Sequence, residues 1–365
     1  MRSEYMEWAK TCSSTRFNLA TSGLTSVPLA EFPLRLKDLE VTAPGGYGYG
    51  PLQERLARHT GAPEECIVAA TGASMANHLA MAAILSPGDE VLIEQPAYGP
   101  LLDVAHYLGA RVNRLPREFE RGFGLELGQV ERCLTPATRL IVLTNLHNPS
   151  GSLISAEVLR GVGEMAQRVG ARVLVDEVYL EMLFQRDAPF CFPVGRALSS
   201  TEDNLFIATN SLTKAYGFSG LRCGWILAAP ELARRMWRLN DLFGVNPAHA
   251  AERMSVVAFD HLDQFRDRAQ GLLNANRALV ERFFDSRNDL ECFRPLGGSV
   301  LFPRLKQGDP EVFFKLLRDK YETSVVPGRF FEMPQHFRIG IGGETEELRA
   351  GLERMSAALD EFSAC

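Results

Sequence analysis

Short runs of apolar residues alternate with stretches of mixed polarity along the first two thirds of the chain. The runs are about five residues long, which is typical of strands that are buried on both faces of a sheet. They predict seven strands, at 66–70, 90–94, 111–115, 140–144, 172–175, 205–209 and 224–228. The stretches between them have the apolar spacing of helices. These helices are predicted at 51–59, 75–85, 98–108 and 155–169, the last with Ser155 as its N-cap.

Strands that alternate with helices in this way indicate an α/β fold with a mainly parallel seven-stranded sheet that helices cover on both faces. From about residue 231 the pattern changes to long helical stretches with short strands near 300–303 and 337–341. The helices are predicted at 231–243, 249–285, 310–321 and 344–362. This change indicates a second, smaller α+β domain. Residues 1–45 lack a periodic pattern and are predicted to be irregular.

Composition and charge exclude several classes of protein. The chain has 365 residues, of which 46% are hydrophobic, so it can bury a large core. Its net charge of -6 gives no electrostatic reason to expect a nucleic acid or an anionic membrane as partner, and no apolar run reaches the roughly 18 residues of a membrane-spanning helix. The seven cysteines and seven histidines lack CxxC, HxH and HxxxH spacings. Neither a metal site nor a disulfide framework is therefore predicted, and a cytoplasmic location is expected.

Residues suited to chemistry follow the predicted strands. Ligands of open parallel sheets bind at the carboxyl ends of the strands, so the residues that follow each strand are expected to meet in one crevice. These residues are Thr71 to Ser74, Pro96 to Tyr98, Asn145 to Gly151, Asp176 to Tyr179 and Ser211 to Lys214. Together they supply a small-residue loop at a helix start, an aromatic ring, an amide, a carboxylate, a phenol and a lysine.

Each of these groups has a chemical use. A loop of small residues at a helix start presents free backbone N–H groups to a phosphate, and Arg222 adds a cation. A lysine in a cleft can lose its proton and attack a carbonyl carbon. A carboxylate can keep a ring nitrogen protonated, and an aromatic side chain can stack on that ring. The set therefore suits pyridoxal 5′-phosphate (PLP), which combines an aromatic ring, an aldehyde and a phosphate.

Several motifs resemble those of class I/II aminotransferases. The run SLTKAYGFSGLRCGW at 211–225 resembles the family signature S-x-S/T-K-x-x-G-x-x-G-x-R-x-G-W. Further resemblances, in the family's order, are PGD at 87–89, PAY at 96–98, NPSG at 148–151, DEVY at 176–179 and FRIG at 337–340. The resemblance extends over about residues 45–343 and implies the fold-type I PLP-transferase architecture of the aspartate aminotransferase superfamily. The large domain is then expected at 45–250, and the small domain combines 1–44 with 251–365.

The resemblance also implies roles for the matched residues. Lys214, Asp176 and Tyr179 would be catalytic. Lys214 would bind the cofactor and move a proton, Asp176 would pair with the ring nitrogen, and Tyr179 would bond to the ring hydroxyl together with Asn148. Tyr98 would stack on the ring. The full set of expected cofactor contacts is Ala73, Ser74, Tyr98, Asn148, Asp176, Tyr179, Ser211, Lys214 and Arg222. The expected substrate contacts are Arg338, Asn148 and Gly23, and further candidates for the side-chain pocket are Ser22, Phe218 and Asn246.

The activity that the resemblance implies is transfer of an amino group between an L-amino acid and a 2-oxo acid. A PLP-dependent lyase or cyclase uses the same residues and is the alternative, because the orientation of the bonds at Cα decides which one breaks. A serine hydrolase with Ser74 as nucleophile and His249 as base is a remote alternative. The resemblance further implies a homodimer with shared active sites, in which Tyr47 or Tyr49 reaches the partner's phosphate. His147 is expected to have a local structural role.

Overall fold

The computed structural model describes residues 2–185, 187–198 and 204–364. Within them, the α-helices are α1 (Glu4–Thr11), α2 (Gly50–Thr60), α3 (Gly72–Ala82), α4 (Gly99–Tyr107), α5 (Leu127–Cys133), α6 (Ala156–Val169), α7 (Cys191–Leu198), α8 (Leu212–Ala215), α9 (Pro230–Asn240), α10 (His249–Asp260), α11 (Leu262–Asp285), α12 (Pro310–Asp319) and α13 (Thr345–Ala364). The strands are β1 (Phe17–Asn18), β2 (Ile67–Thr71), β3 (Glu90–Gln95), β4 (Arg111–Pro116), β5 (Thr138–Thr144), β6 (Arg172–Asp176), β7 (Phe206–Ser211), β8 (Cys223–Leu227), β9 (Leu290–Glu291), β10 (Val300–Leu301), β11 (Arg304–Leu305), β12 (Thr323–Ser324), β13 (Val326–Pro327) and β14 (Phe337–Gly340).

The central sheet has seven strands in the order β2-β8-β7-β6-β5-β3-β4. The strands from β3 to β7 pair in parallel, whereas β8 runs antiparallel to both of its neighbours, β2 and β7. Helices cover both faces, and residues on opposite faces of β5, such as Ile141 and Val142, are therefore fully buried. The predicted α/β class and mainly parallel sheet are confirmed, and the seven predicted strands agree with the observed ones to within about two residues.

A second region contains the shorter strands and the last helices. The strands β10, β14 and β13 form an antiparallel sheet in that order, and α12 packs against α13. The parallel pairing of β1 with β12 joins the first residues of the chain to this region. The division into domains at 45–250, and at 1–44 with 251–365, stays a prediction. Among the residues described, no helix has the length and apolarity that a membrane crossing requires.

Two of the predictions about helices are wrong. Residues 1–45 contain α1, whose N-cap Ser3 accepts a hydrogen bond from the amide of Met6 at 3.5 Å. Eight residues are too few for a stable isolated helix, so α1 depends on contacts with distant residues that the local pattern does not reveal. The helix expected at 249–285 is two helices, α10 and α11, which meet at His261. Neither glycine nor proline marks this break in the sequence.

A strip of chain at residues 19–25 lies between the two regions and passes close to Lys214. The amide of Leu24 donates to the Lys214 carbonyl at 3.1 Å. On the other side, a Cβ atom placed on Gly340 would lie only 1.6 Å from the carbonyl oxygen of Thr21. The strip can therefore approach β14 this closely only because position 340 is glycine.

Candidate active site

A cavity of about 660 Å³ opens at the carboxyl edge of the central sheet. All nine residues expected to contact the cofactor line it, namely Ala73, Ser74, Tyr98, Asn148, Asp176, Tyr179, Ser211, Lys214 and Arg222. A second cavity of about 370 Å³, around Glu181 and Tyr216, contains none of them. In the part of the chain that the structure describes, no group of three or more His, Cys, Asp or Glu residues is placed to hold a metal ion. The cavity that contains all nine expected residues is therefore the candidate site.

Lys214 is half-buried and lines this cavity. Lys214 belongs to the short helix α8 that follows β7, and Ser211 caps this helix by accepting a hydrogen bond from the amide of Thr213 at 3.4 Å. Its Nζ atom donates to Ser22 Oγ at 2.9 Å. Burial lowers the pKa of Lys214 to about 8, although the nearby Tyr5 acts in the opposite direction. An amine with this pKa has a substantial neutral fraction near neutral pH and can act as a nucleophile.

The carboxylate of Asp176 lies at the end of β6 and accepts two hydrogen bonds. One comes from Asn77 Nδ2 at 2.8 Å, and the other from the amide of Val178 at 3.2 Å. The orientation of Asn77 is fixed, because its Oδ1 accepts from the hydroxyl of Thr209 at 2.6 Å. Burial raises the pKa of Asp176 to about 6, against the effect of these hydrogen bonds. Such a buried acid is stabilised as the anion when a cationic group, such as a protonated ring nitrogen, binds beside it.

The start of α3 has no capping side chain and is suited to an anion. Its N-cap residue, Thr71, makes no side-chain capping hydrogen bond, so the first N–H groups of the helix remain available beside Ala73 and Ser74. Arg222 donates to the carbonyl of Thr71 at 3.4 Å. A Cβ atom on Gly72 would lie 2.3 Å from Arg222 Nη2, so glycine is needed for this approach. Free N–H groups, the positive end of the helix dipole and a guanidinium together suit a phosphate.

Arg338 on β14 is a buried cation whose protein partners are all neutral. It donates to Asn148 Oδ1 at 2.9 Å, to the hydroxyl of Tyr5 at 3.0 Å and to the carbonyl of Ala20 at 3.2 Å. Its Nε atom has no partner among the residues described. A buried guanidinium without a neighbouring anion is costly, and its unused N–H group is suited to the carboxylate of a ligand.

His147 holds the loop that carries Asn148. Its Nε2 lies 2.9 Å from the carbonyl of Pro96, and its Nδ1 lies 2.6 Å from Ser150 Oγ. A carbonyl can only accept, so Nε2 carries the proton and Nδ1 accepts from the serine hydroxyl. Burial, together with the nearby Arg117, lowers the pKa of His147 well below its usual range, so the ring is neutral. These contacts agree with the local structural role expected for it.

Of the four residues expected near the substrate side chain, two lie at the cavity and two do not. Ser22 lines it, and a Cβ atom on Gly23 would lie 3.4 Å from Cδ of Lys214. Phe218 and Asn246, which the sequence suggested for the side-chain pocket, are not in the lining. Phe218 packs in the core against Phe265, with ring centroids 4.8 Å apart. Asn246 donates to the carbonyl of Gly46 at 3.1 Å, away from the cavity.

Tyr47, Tyr49 and His249 lie outside the cavity lining. Tyr47 is exposed, and its hydroxyl donates to Asp241 at 2.8 Å. Tyr49 packs edge-to-face on His249, with ring centroids 4.8 Å apart. His249 therefore lies beside Tyr49 and does not line the cavity that contains Ser74. This position gives the serine hydrolase alternative no support.

Two residues of the site had not been singled out in the sequence. Asn77 bonds to Asp176, and the only local signal for it is a polar residue on a helix face that is otherwise apolar. Tyr5 bonds to Arg338 from α1, in a segment that was expected to be irregular. Both interactions join residues that are far apart in the chain. Neither Asn77 nor Tyr5 directly follows a predicted strand, so the positions of the strand ends do not indicate them.

The arrangement fits the cofactor that the sequence predicts. The cavity contains a nucleophilic amine at Lys214, an acid at Asp176 suited to a ring nitrogen, and an anion site at the start of α3. Arg338 is not itself in the lining, but its partners Asn148, Tyr5 and Ala20 are, and its unpartnered Nε is suited to a second anion. PLP needs the first three groups, and an amino acid substrate needs the fourth for its carboxylate.

The chain is similar to several known proteins over most of its length. The model of the family described as aminotransferase class I and II matches residues 42–355. Capreomycidine synthase of Streptomyces vinaceus is 30% identical over 305 residues, which cover 83% of this chain and 77% of that protein. A probable aspartate/prephenate aminotransferase of Aquifex aeolicus (strain VF5) is 28% identical over 312 residues, with coverages of 82% and 77%. The crystal structure of a PLP-dependent aminotransferase from Streptococcus suis 89-1591 matches with a TM-score of 0.91 at 26% identity, covering 99% of this chain and 98% of that one.

Proposed function

The chain belongs to the class I and II aminotransferase family, and from this premise we propose that it transfers an amino group between an L-amino acid and a 2-oxo acid, with PLP held at Lys214. The observation that carries the proposal is the half-buried amine of Lys214, with a pKa of about 8, in one cavity with Asp176 and the uncapped start of α3. Nucleophile, ring partner and phosphate site are thus within reach of one small molecule.

The proposal assigns each part of the cofactor to a group of residues. When bound, PLP supplies a ring that accepts electron density from the substrate's Cα. Asp176 would hold a proton on the ring nitrogen, and Asn148 and Tyr179 would bond to the ring hydroxyl. Tyr98 would stack on the ring. Ala73 and Ser74 at the start of α3, together with Ser211 and Arg222, would bind the phosphate.

Substrate binding and proton movement are assigned to three side chains. Arg338 binds the α-carboxylate, a task for which its planar guanidinium is suited, and Asn148 keeps Arg338 in place by accepting its hydrogen bond at 2.9 Å. The Nζ atom of Lys214 is the group that would take the Cα proton of the bound substrate. A pKa of about 8 suits this task, because a group that takes and returns a proton works best when its pKa is near the operating pH.

A second part of the proposal is a homodimer with shared active sites. The segment 242–245 carries exposed apolar side chains, and Tyr47 lies beside it because its hydroxyl bonds to Asp241. Exposed apolar patches are typical of protein–protein interfaces. Tyr47 rather than the more buried Tyr49 then reaches the partner's phosphate. Sedimentation equilibrium tests this part, and a fully active monomer would refute it.

A cytoplasmic location is also part of the proposal. Cys191 and Cys223 are thiols within the protein interior, and burial raises the pKa of both. Buried thiols of this kind are typical of proteins from reducing compartments. Fractionation of cells that produce the protein tests the location.

The test of the activity is a half-reaction screen. The PLP-loaded protein is mixed with single amino acids. The loss of cofactor absorbance at about 420 nm and its gain at about 330 nm are followed. A true substrate produces this change, and a 2-oxo acid then reverses it. The Lys214→Ala variant is the control and is expected to show no turnover. Near-native transamination by this variant would overturn the assignment of Lys214.

A PLP-dependent cyclase or lyase is the second candidate. It is favoured by the similarity to capreomycidine synthase, at 30% identity over 305 residues. The same screen separates the two activities. An aminotransferase leaves the cofactor in a form that 2-oxo acids restore, whereas a cyclase or lyase consumes the amino acid and needs no oxo acid. The half-reaction of an aminotransferase stops after one product molecule per active site. Product formation over many turnovers without any oxo acid would therefore establish the second candidate.

A further inference from the structure

Tyr5 is fixed in the wall of the active-site cavity. It is buried, and it lines the same cavity as Lys214. Its ring meets Tyr98 edge-to-face, with centroids 5.5 Å apart and planes at 79°. The rings of Phe330 and Phe331 lie on other sides, each with its centroid 5.9 Å from that of Tyr5. These contacts hold the ring, and so also the direction of its hydroxyl group.

The hydroxyl of Tyr5 has a proton that no residue of the described structure accepts. The oxygen accepts a hydrogen bond from Arg338 Nη2 at 3.0 Å, and this is the one hydrogen bond found for it there. Arg338 itself retains an unused donor, its Nε atom. Two neighbouring side chains therefore each keep a polar hydrogen without an acceptor, beside a cavity that admits small molecules. Buried polar hydrogens normally have partners, so this pair indicates a ligand with acceptor atoms.

The electrostatic surroundings favour an anion at this place. Arg338 is buried, and its partners are the side chain of Asn148, the hydroxyl of Tyr5 and the carbonyl of Ala20, none of which carries a negative charge. A hydroxyl that accepts from a guanidinium is polarised and becomes a stronger donor to an anion. A carboxylate has two oxygen atoms, and it can accept from Arg338 and from Tyr5 at the same time.

We infer that Tyr5 is a substrate-binding residue whose hydroxyl, together with Arg338, binds the α-carboxylate of the substrate. The inference rests on the proposed function, which assigns that carboxylate to Arg338. A purely structural role for Tyr5, as one ring in an aromatic cluster, is the alternative. The two roles differ at one atom, because Tyr5→Phe keeps the ring contacts and removes only the hydroxyl.

The first measurement is binding of a carboxylate that cannot react. The affinity of 3-phenylpropanoate is measured by calorimetry for wild type and Tyr5→Phe, in the PLP-loaded and in the cofactor-free protein. A hydrogen bond to a charged group is worth about a 10- to 100-fold change in affinity, and this loss is expected in the variant. The neutral 3-phenylpropanamide is expected to bind both proteins equally. Tyr321→Phe is the matched control, because this hydroxyl bonds to Glu361, outside the cavity.

The second measurement uses the amino acid found in the half-reaction screen and the amine that lacks its carboxylate. The variant is expected to require about 10- to 100-fold more amino acid for half-maximal cofactor conversion, with no change for the amine. The absorbance spectrum is expected to match that of wild type, whereas the thermal unfolding midpoint falls modestly because the buried Arg338 loses one acceptor. Both measurements thus isolate the hydroxyl–carboxylate contact from packing.

The possible results separate the two hypotheses. Equal carboxylate affinity in wild type and Tyr5→Phe overturns the inference, and so does an equal loss for the amide, which indicates packing. In these cases wild-type transamination still supports the proposed function. If the variant loses carboxylate affinity but wild type converts no amino acid, the Tyr5 site stands and the proposed function fails. A wild type that binds no carboxylate also overturns the inference.

Discussion

Replacement of Asp176 by asparagine is predicted to remove a pH-dependent loss of stability from the cofactor-free protein, and it also removes the partner of the ring nitrogen. The carboxylate is buried at the end of β6, and burial raises its pKa from the ordinary value of 3.8 to about 6. The folded protein therefore keeps a proton on Asp176 at pH values where the unfolded chain has lost it. Stability must then fall as the pH rises from about 4 to about 6, and it stays at the lower level above that range.

The size of this effect follows from the two pKa values. At about 1.36 kcal/mol per pH unit, the difference between 3.8 and about 6 corresponds to about 3 kcal/mol at pH 8. At pH 5 only the first part of the titration is complete, and the same calculation gives roughly half of that difference. The asparagine also disturbs the hydrogen bonds from Asn77 and from the amide of Val178. That cost does not depend on pH, so it cancels when the two pH values are compared.

The assay is urea unfolding of cofactor-free wild type and Asp176→Asn at pH 5 and pH 8. The difference in unfolding free energy between the two proteins is expected to move in favour of the variant by roughly 1 kcal/mol from the lower to the higher pH. Asp319→Asn, on the exposed surface, is the matched control for the change in charge. With PLP bound, the order is expected to reverse, because only the carboxylate pairs with a protonated ring nitrogen.

The reasoning would be refuted by a difference in unfolding free energy that is the same at both pH values. A difference that moves toward wild type at pH 8 would show that the folded protein favours the anion even without its cofactor. Either result would mean that burial is not the dominant influence on this carboxylate.

Two further predictions concern the amine and the strip at residues 19–25. The rate at which cofactor-free protein captures PLP should rise with pH through about 8 and then level off, because only the neutral amine of Lys214 attacks; stopped-flow absorbance measures it, and a rate independent of pH from about 6.5 to 9.5 would contradict it. Gly340→Ala should destabilise the protein by about 3 kcal/mol or more, because its Cβ would lie 1.6 Å from the Thr21 carbonyl oxygen. Gly343→Ala, whose Cβ meets nothing within 4 Å, should change the unfolding midpoint little, and equal effects of the two substitutions would refute the argument.

Much of the site was predictable because sheet topology determines where strand ends lie. Parallel strands bring their carboxyl ends to one edge, so Asn148, Asp176 and Lys214 meet there although they are spread along the chain. Arg222 reaches the same edge for a different reason. It precedes β8, which runs antiparallel, so the start of that strand lies where the other strands end. The apolar runs suffice to locate the strands, and the strands locate these residues.

The contributions of Tyr5 and Asn77 could not be found in this way. The helix that carries Tyr5 has eight residues and depends on rings more than 300 positions away, at Phe330 and Phe331. Asn77 lies on a helix that was predicted, but its partner Asp176 is 99 positions away. Local patterns predict secondary structure, whereas these contacts depend on how the elements pack. The break at His261 escaped prediction for a related reason, since no helix-ending residue marks it.

The strip at residues 19–25 contacts both Arg338, which is assigned to the substrate carboxylate, and Lys214, which is assigned to the cofactor. On one side it lies against β14, which carries Arg338, and on the other its Leu24 amide bonds to the Lys214 carbonyl. Ser22, within the strip, bonds directly to the amine of Lys214. Arg338 donates to the carbonyl of Ala20, so the strip contacts the guanidinium as well as the amine. A substitution within the strip is therefore expected to affect Arg338 and Lys214 together.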